Sequence, residues 1–260
     1  MTTPCAPSSA PGLEDTVPLQ VAGAARGRLV PAVASALAGM AEFFLPADGG
    51  FALRDAGLAP AARSRLLQQA ALALRERGLV PGWRDELCEL RDGDVELARF
   101  ERGAFRSLGL CNRAVHVNGC LADGRLWIAR RSARKASSPR KLDNLAAGAI
   151  SAGESPRLCA IRELWEEAGV PGELAARVGF PGARVHSLRR IRHGVHEEIV
   201  LCADLLLPPD FLPRCQDGEV EEFYCMTPGE VATALAGDEF STEAALVTRD
   251  WLRRAGPRPG

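Results

Sequence analysis

Glutamates at 163, 166 and 167 fall within one narrow arc of a single short helix, and nothing else in this 260-residue chain constrains its fold and chemistry as much. The limits of that helix are legible. Ser155 is a good N-cap, Pro156 suits the first helical position, and Gly169 followed by Pro171 stops it. Leu158, Ile161, Leu164, Trp165 and Ala168 occupy the opposite side, the face expected to pack on a sheet. Like charges at i, i+3 and i+4 repel, so stability alone gives a helix no reason to stack them. A bound divalent cation would turn that repulsion into attraction, and oxygen-only ligands suit Mg2+ or Mn2+. The plainer reading is a solvated acidic face on an amphipathic helix.

The surrounding pattern decides between the two. Gly148, Glu154, Arg162-Glu163-Leu164, Glu166-Glu167 and Gly169-Val170 match the Nudix hydrolase signature at every specified position and spacing. This resemblance implies an α/β fold, a Nudix α/β/α sandwich with a mixed sheet, and a pyrophosphohydrolase that needs Mg2+ or Mn2+. Glu163 and Glu167, one helical turn apart, are the expected metal ligands. Glu166 is expected as a further ligand or as the base, and the family adds the Gly148 carbonyl to the ligand set. Arg162 is expected to orient the acidic cluster through charge-assisted hydrogen bonds, and Glu154 to tie the loop to the helix. A base could come instead from Glu219 or Glu221 on a later strand.

Composition narrows the alternatives. A hydrophobic content of 47% and a charged content of 25% are those of a globular protein with ample core. The net charge of −1 provides no field that would recruit nucleic acid or an anionic membrane, and neither is expected as a partner. Apolar runs are too short to span a bilayer, and the start, MTTPCAPSSAPGLEDT, lacks the pattern of a secretory signal. A cytoplasmic protein with reduced cysteines is the expectation. None of the eight cysteines forms a CxxC pair or stands at zinc-ligand spacing from a histidine.

Taken in order, residues 1–18 read as a disordered tail and 19–110 as a small α+β accessory domain. Helices are expected over 29–42 and 60–77, with short strands near 84–90 and 95–100. Arg63, Arg65, Arg75 and Arg77 read as the polar side of the second helix. The catalytic domain is expected over 111–256. It opens with two strands joined through Asp123-Gly124, followed by a basic run of Arg130, Arg131, Arg134, Lys135, Arg140 and Lys141. Arg130, Arg131, Lys135 and Lys141, with Asn144 beyond them, are the expected substrate-binding residues, suited to an anionic diphosphate. Further strands are expected over 175–188, 197–207 and 217–226. In the last, alternation sets Glu219 and Glu221 on one side and Val220 and Glu222 on the other. Helices over 227–237 and 241–254 close the chain.

HVNG at 116–119, WIARRSARKASSPRKLDN at 127–144, LPPDF at 207–211 and DGEVEEFYCM at 217–226 resemble the Nudix proteins related to the N-terminal part of fungal thiamine pyrophosphokinase. In that group a smaller domain precedes the Nudix domain, and the substrates implied are thiamine diphosphate and its oxidised analogues, cleaved to the monophosphate. Ala149 after Gly148 and Arg140 after Pro139 depart from the group's usual glycines. Two other substrate readings stand beside this one. A nucleoside-diphosphate linkage of the ADP-ribose or NADH type would need an aromatic platform, for which Trp127, Trp165, Phe180, Phe223 and Tyr224 are the candidates. Isopentenyl diphosphate isomerase has a similar strand-loop region but needs a cysteine before the signature, where this chain has Leu142-Asp143-Asn144-Leu145-Ala146-Ala147. A silent ligand sensor would be expected to have lost carboxylates that are all present here. The first hundred residues are read as covering the pocket or mediating a homodimer.

Overall fold

Residues 12–255 are described by a computed structural model, and the chain separates into two compact units. The first runs to residue 112 and also takes in 151–153 and 187–198; the second holds 113–150, 154–186 and the remainder from 199. Most of the expected tail, 1–11, lies outside the described residues. Its end is ordered, however: Leu13 is buried and a strand begins at Val17.

In the first unit, strands β1 (Val17–Val21) and β2 (Ala24–Leu29) form a hairpin, followed by helix α1 (Pro31–Ala38). A second hairpin, β3 (Phe44–Ala47) and β4 (Gly50–Leu53), completes a four-stranded sheet of order β2-β1-β4-β3, in which β1 and β4 run parallel. Helical periodicity concealed these strands because each is only four to six residues long. One signal was available: Asp48-Gly49, both at positive φ (25° and 73°), is a tight hairpin turn. The expected helix over 29–42 shrinks to α1, while the second expected helix is found as α2 (Pro60–Glu76). Strands β5 (Leu87–Asp92) and β6 (Val95–Glu101) pair around Gly93-Asp94, and α3 (Arg102–Leu108) ends at left-handed Gly109. Phe100 and Phe105 stack with centroids 4.2 Å apart among the buried side chains of this unit. Arg63 is not on the polar face of α2 as expected. It is buried, paired with Asp55 at 2.6 Å, and donates to the carbonyls of Leu58 and Leu97.

A seven-stranded sheet underlies the second unit, although 111–112, 187–191 and 194–198 of its strands group with the first. Its strands are β7 (Cys111–Cys120), β8 (Leu126–Arg131), β9 (Leu142–Asp143), β10 (Ala146–Ala149), β11 (Arg184–Ile191), β12 (Gly194–Leu206) and β13 (Val220–Met226). The order is β11-β12-β7-β8-β13, with β10 added antiparallel to β7 and β9 to β8. Helix α4 (Pro156–Ala168) and the short α5 (Gly172–Ala175) share one buried cluster with Val115 and Val117 of β7. Helices α6 (Pro228–Ala236) and α7 (Thr242–Ala255) share a second with Leu126 and Ile128 of β8. Two clusters on the two faces of one sheet make this an α/β/α sandwich, and alternation along the strands builds both. Phe223 and Cys225 of β13 join the α4 side, whereas Tyr224 and Met226 join the other.

Two expectations for this unit are corrected. Trp165 and Leu158 do not pack on the sheet; they are 53% and 58% exposed, and α4 buries a narrower stripe of Cys159, Ala160, Leu164 and Ala168 instead. The register of β13 against β8 also shifts between Val220 and Glu222. That bulge breaks the simple alternation read for Glu219 to Glu222. Among the described residues no helix is long and apolar enough to cross a membrane.

Candidate active site

Local sequence fixes α4 as expected. The Ser155 hydroxyl accepts the Leu158 N–H at 3.2 Å, Pro156 occupies the first turn, and Gly169 turns left-handed to end the helix. Leu164 and Ala168 are pulled into the core, which leaves Glu163, Glu166 and Glu167 along the side of the helix nearest β10. Gly148 lies in β10 opposite Val115. A Cβ there would overlap the Glu163 carboxyl, so a side chain at 148 would displace that carboxyl from the place where Arg162 holds it.

Arg162 is the hub. Its Nε and Nη2 donate to the two oxygens of Glu154 at 2.9 and 3.1 Å, and its Nη1 donates to Glu163 at 2.6 Å and to Glu166 at 3.0 Å. Nη2 also reaches the Ala149 carbonyl at 3.4 Å. The bond to Glu154 raises the guanidinium pKa further above its ordinary value, ahead of the contribution from Glu163. Glu167 stands apart from this group at 4% exposed. It accepts the Ala147 N–H at 2.8 Å and Lys135 Nζ at 3.0 Å, and Lys135 also donates to Glu219.

The expectation that only a bound ion could make these acids tolerable is therefore too strong. Arg162 and Lys135 supply counter-charges from the chain itself. Among the described residues no group of three or more His, Cys, Asp or Glu side chains is gathered closely enough to hold a metal as it stands. The neutralisation is incomplete all the same. Burial first, and then the Glu167 charge, push Glu163 up to about 7 despite Arg162. Burial and the Asp143 charge raise Glu167 as well, against the pull of Lys135.

A pH dependence follows for the metal-free protein. Folded Glu163 takes its proton at about pH 7, whereas the ordinary value is 4.5. The folded state therefore binds more protons between those limits, so this contribution to stability is full below 4.5 and is lost as pH rises through about 7. With chelator present, Tm should fall by several degrees relative to Glu163→Gln as pH rises from about 5 to about 8. Parallel Tm profiles for the two proteins would show that Glu163 titrates normally.

The expected substrate residues scatter. Lys135 is beside the acids. Arg130 lies over the Tyr224 ring at 5.0 Å and donates to its hydroxyl and to the Arg140 carbonyl. Arg131 bonds Asp143 at 2.5 Å and the Ser137 carbonyl at 3.0 Å, and so braces the basic loop from within. Lys141 pairs with Asp238. Asn144 is buried in a network with His116 at 2.8 Å, Asn118 at 2.9 Å and Thr248 at 3.0 Å. The basic run is thus not a single patch: proximity in sequence says nothing of which strand face each cation leaves from. Sequence reading missed the Ala147 amide on Glu167 and the Asp143 charge near it, because neither belongs to a recognisable spacing.

The profile of the NUDIX domain matches residues 112–246. Nudix hydrolase 24, chloroplastic, of Arabidopsis thaliana is 38% identical over 160 residues, which is 60% of this chain and 44% of that protein. Nudix hydrolase 20, chloroplastic, of the same plant is 37% identical over 60% of this chain and 42% of its own length. The protein YJR142W of Saccharomyces cerevisiae is 28% identical over 67% of this chain and 56% of its own. The chain thus spans about half the length of the curated relatives it matches. Among solved structures, DR0079 from Deinococcus radiodurans aligns with a TM-score of 0.48 at 20% identity, over 66% of this chain and all of that one.

Proposed function

The chain belongs to the Nudix family, and from that premise we propose that it is a metal-dependent pyrophosphohydrolase cleaving a small-molecule diphosphate, with thiamine diphosphate or an oxidised analogue preferred and the monophosphate as product. The observation that carries the reading is the meeting of Glu154, Glu163 and Glu166 on Arg162, with the Gly148 backbone against Glu163. A solvated acidic face would have no use for a glycine shaped around one of its carboxylates.

The donors suit a hard divalent ion, since Gly148 O, Glu163, Glu166 and Glu167 offer only oxygen. The raised proton affinity of Glu163 and Glu167 is a cost that a cation would relieve. These residues would hold Mg2+ or Mn2+, which when bound lowers the pKa of a water and neutralises phosphate oxygens. Arg162 keeps Glu163 and Glu166 in place with a planar fork that a lysine could not reproduce. Glu219 or Glu166 accepts the proton of the attacking water on a carboxylate oxygen. Lys135, between Glu167 and Glu219, offers its ammonium to the diphosphate. Of the candidate aromatic residues, Trp127, Phe180 and Phe223 lie on the α4 side of the sheet with the acids. They are the surfaces on which a thiazole, pyrimidine or purine ring would rest.

Purified protein is to be assayed against thiamine diphosphate, its oxidised forms, ADP-ribose and NADH, with products separated by chromatography. Activity should vanish with chelator and return with Mg2+ or Mn2+, and the thiamine compounds should turn over fastest. Faster cleavage of ADP-ribose or NADH would transfer the assignment to nucleoside substrates, and activity indifferent to chelator would overturn the metal role.

A further inference from the structure

Three residues of the Nudix signature, Ser151, Ala152 and Gly153, group with the first unit rather than with the sandwich that contains the residues on either side of them. The reason is an unbroken set of bonds to β5 and the residue before it. Cys88 and Ser151 form an antiparallel bridge, and the Ala152 N–H donates to the Leu87 carbonyl at 2.8 Å. The Ser151 hydroxyl donates to Glu86 at 2.8 Å, and the Gly153 N–H donates to Glu89 Oε1, also at 2.8 Å. Every one of these contacts lies inside the first unit.

Glu89 is the unusual member. It is 7% exposed, on a strand whose ends are open to solvent, and its other oxygen takes Arg91 at 2.7 Å while Arg99 stands 3.6 Å away. A carboxylate is expensive to bury, and two arginines plus a backbone N–H are what make this one tolerable. Gly153 has no side chain and sits at φ +82°, a conformation that needs an outside constraint to be unique. The next residue is Glu154, both of whose oxygens are held by Arg162. A single peptide therefore separates the bond to Glu89 from the bond to the hub of the active site.

We propose that Glu89 is a positioning residue for the hydrolase reaction: by holding the Gly153 amide it sets the loop that delivers Glu154 to Arg162, and through Arg162 the orientation of Glu163 and Glu166. The proposal rests on the diphosphate hydrolase reading above. It gives the first hundred residues a defined task, that of shaping one loop of the catalytic signature from a strand of their own.

The test compares wild type, Glu89→Ala and Glu89→Gln in the full-length chain. Glutamine keeps an oxygen for the Gly153 N–H, so it separates the loop bond from the charge. Three quantities are read: Mn2+ affinity by calorimetry without substrate, kcat and KM separately, and amide hydrogen exchange of the peptide containing 150–154. Glu89→Ala should weaken Mn2+ binding and lower kcat, each by about tenfold, leave KM within about twofold and speed exchange in the loop, while Glu89→Gln recovers most of each loss. A merely structural role would lower Tm while the folded protein bound Mn2+ and turned over normally; that result overturns the proposal, as does a loss that glutamine fails to recover. Should Glu89→Ala not fold, Ser151→Ala, which removes the neighbouring bond to Glu86, must shift Mn2+ affinity and loop exchange in the same direction, and unchanged values count against the proposal. A wild-type protein that cleaves no diphosphate defeats the functional reading instead, and the exchange data still report on Glu89.

Discussion

Replacing Glu167 with glutamine should leave a folded protein whose turnover has fallen by about a hundredfold or more. The side chain is buried and already well placed, with one oxygen on the Ala147 N–H and the other on Lys135. Glutamine fits the same space and still offers an oxygen to Ala147. What it removes is the negative charge, which burial and Asp143 make costly in the folded state. The metal-free variant should therefore melt no lower than wild type by more than a degree or two, since the lost attraction to Lys135 is offset by the relieved desolvation. Lys135 keeps Glu219 as a partner. On the proposed reading, the use of a charge so costly to bury is to hold a cation against a phosphate. The check is kcat at saturating Mg2+ alongside Tm in chelator. Normal turnover by a folded Glu167→Gln protein would remove Glu167 from the ligand set.

Much of the sandwich was legible because its signals are local. Ser155, Pro156 and Gly169 delimit α4 by capping chemistry that needs no tertiary context, and the strand pair around Asp123-Gly124 is announced by its turn. The signature likewise contains its own geometry: positions 163, 166 and 167 share an arc of any helix. Legibility failed where the outcome depends on distant partners. Arg63 reads as a surface residue because Asp55 becomes its partner only through folding. Trp165 reads as core because periodicity counts apolar residues without knowing how wide a stripe the sheet can cover. Arg131 and Lys141 read as members of one basic patch because cations close in sequence look like one site, whereas the strands send them to different partners. The four short strands before residue 54 were hidden by alanine- and leucine-rich composition, which favours helix locally. Glu89 carried no signal at all.

The same contrast sets up the second large effect, at Arg162. The sequence suggested that acids so crowded require an ion, yet the chain provides its own counter-charge in a guanidinium that bonds three carboxylates. Truncating Arg162 to alanine leaves those groups facing one another. Losing one partner of a buried ion pair costs about 3–5 kcal/mol, but a side chain that is 34% exposed is screened by water, so about 2 kcal/mol is the reasonable expectation. In the metal-free protein that is a drop of several degrees in Tm. Turnover should fall by about a hundredfold, because Glu163 and Glu166 lose the fork that aligns them, and Arg162→Lys should recover charge without recovering alignment and so restore stability more than rate. The decisive comparison is the rise in Tm on adding Mg2+. If the arginine's fork aligns the carboxylates that receive the ion, Mg2+ should stabilise Arg162→Ala by fewer degrees than it stabilises wild type, the same direction as expected for Glu89→Ala. A rise equal to or larger than that of wild type would mean that Arg162 does not align the ligands of the ion, and the ligand set drawn around Glu163 and Glu166 would have to move elsewhere.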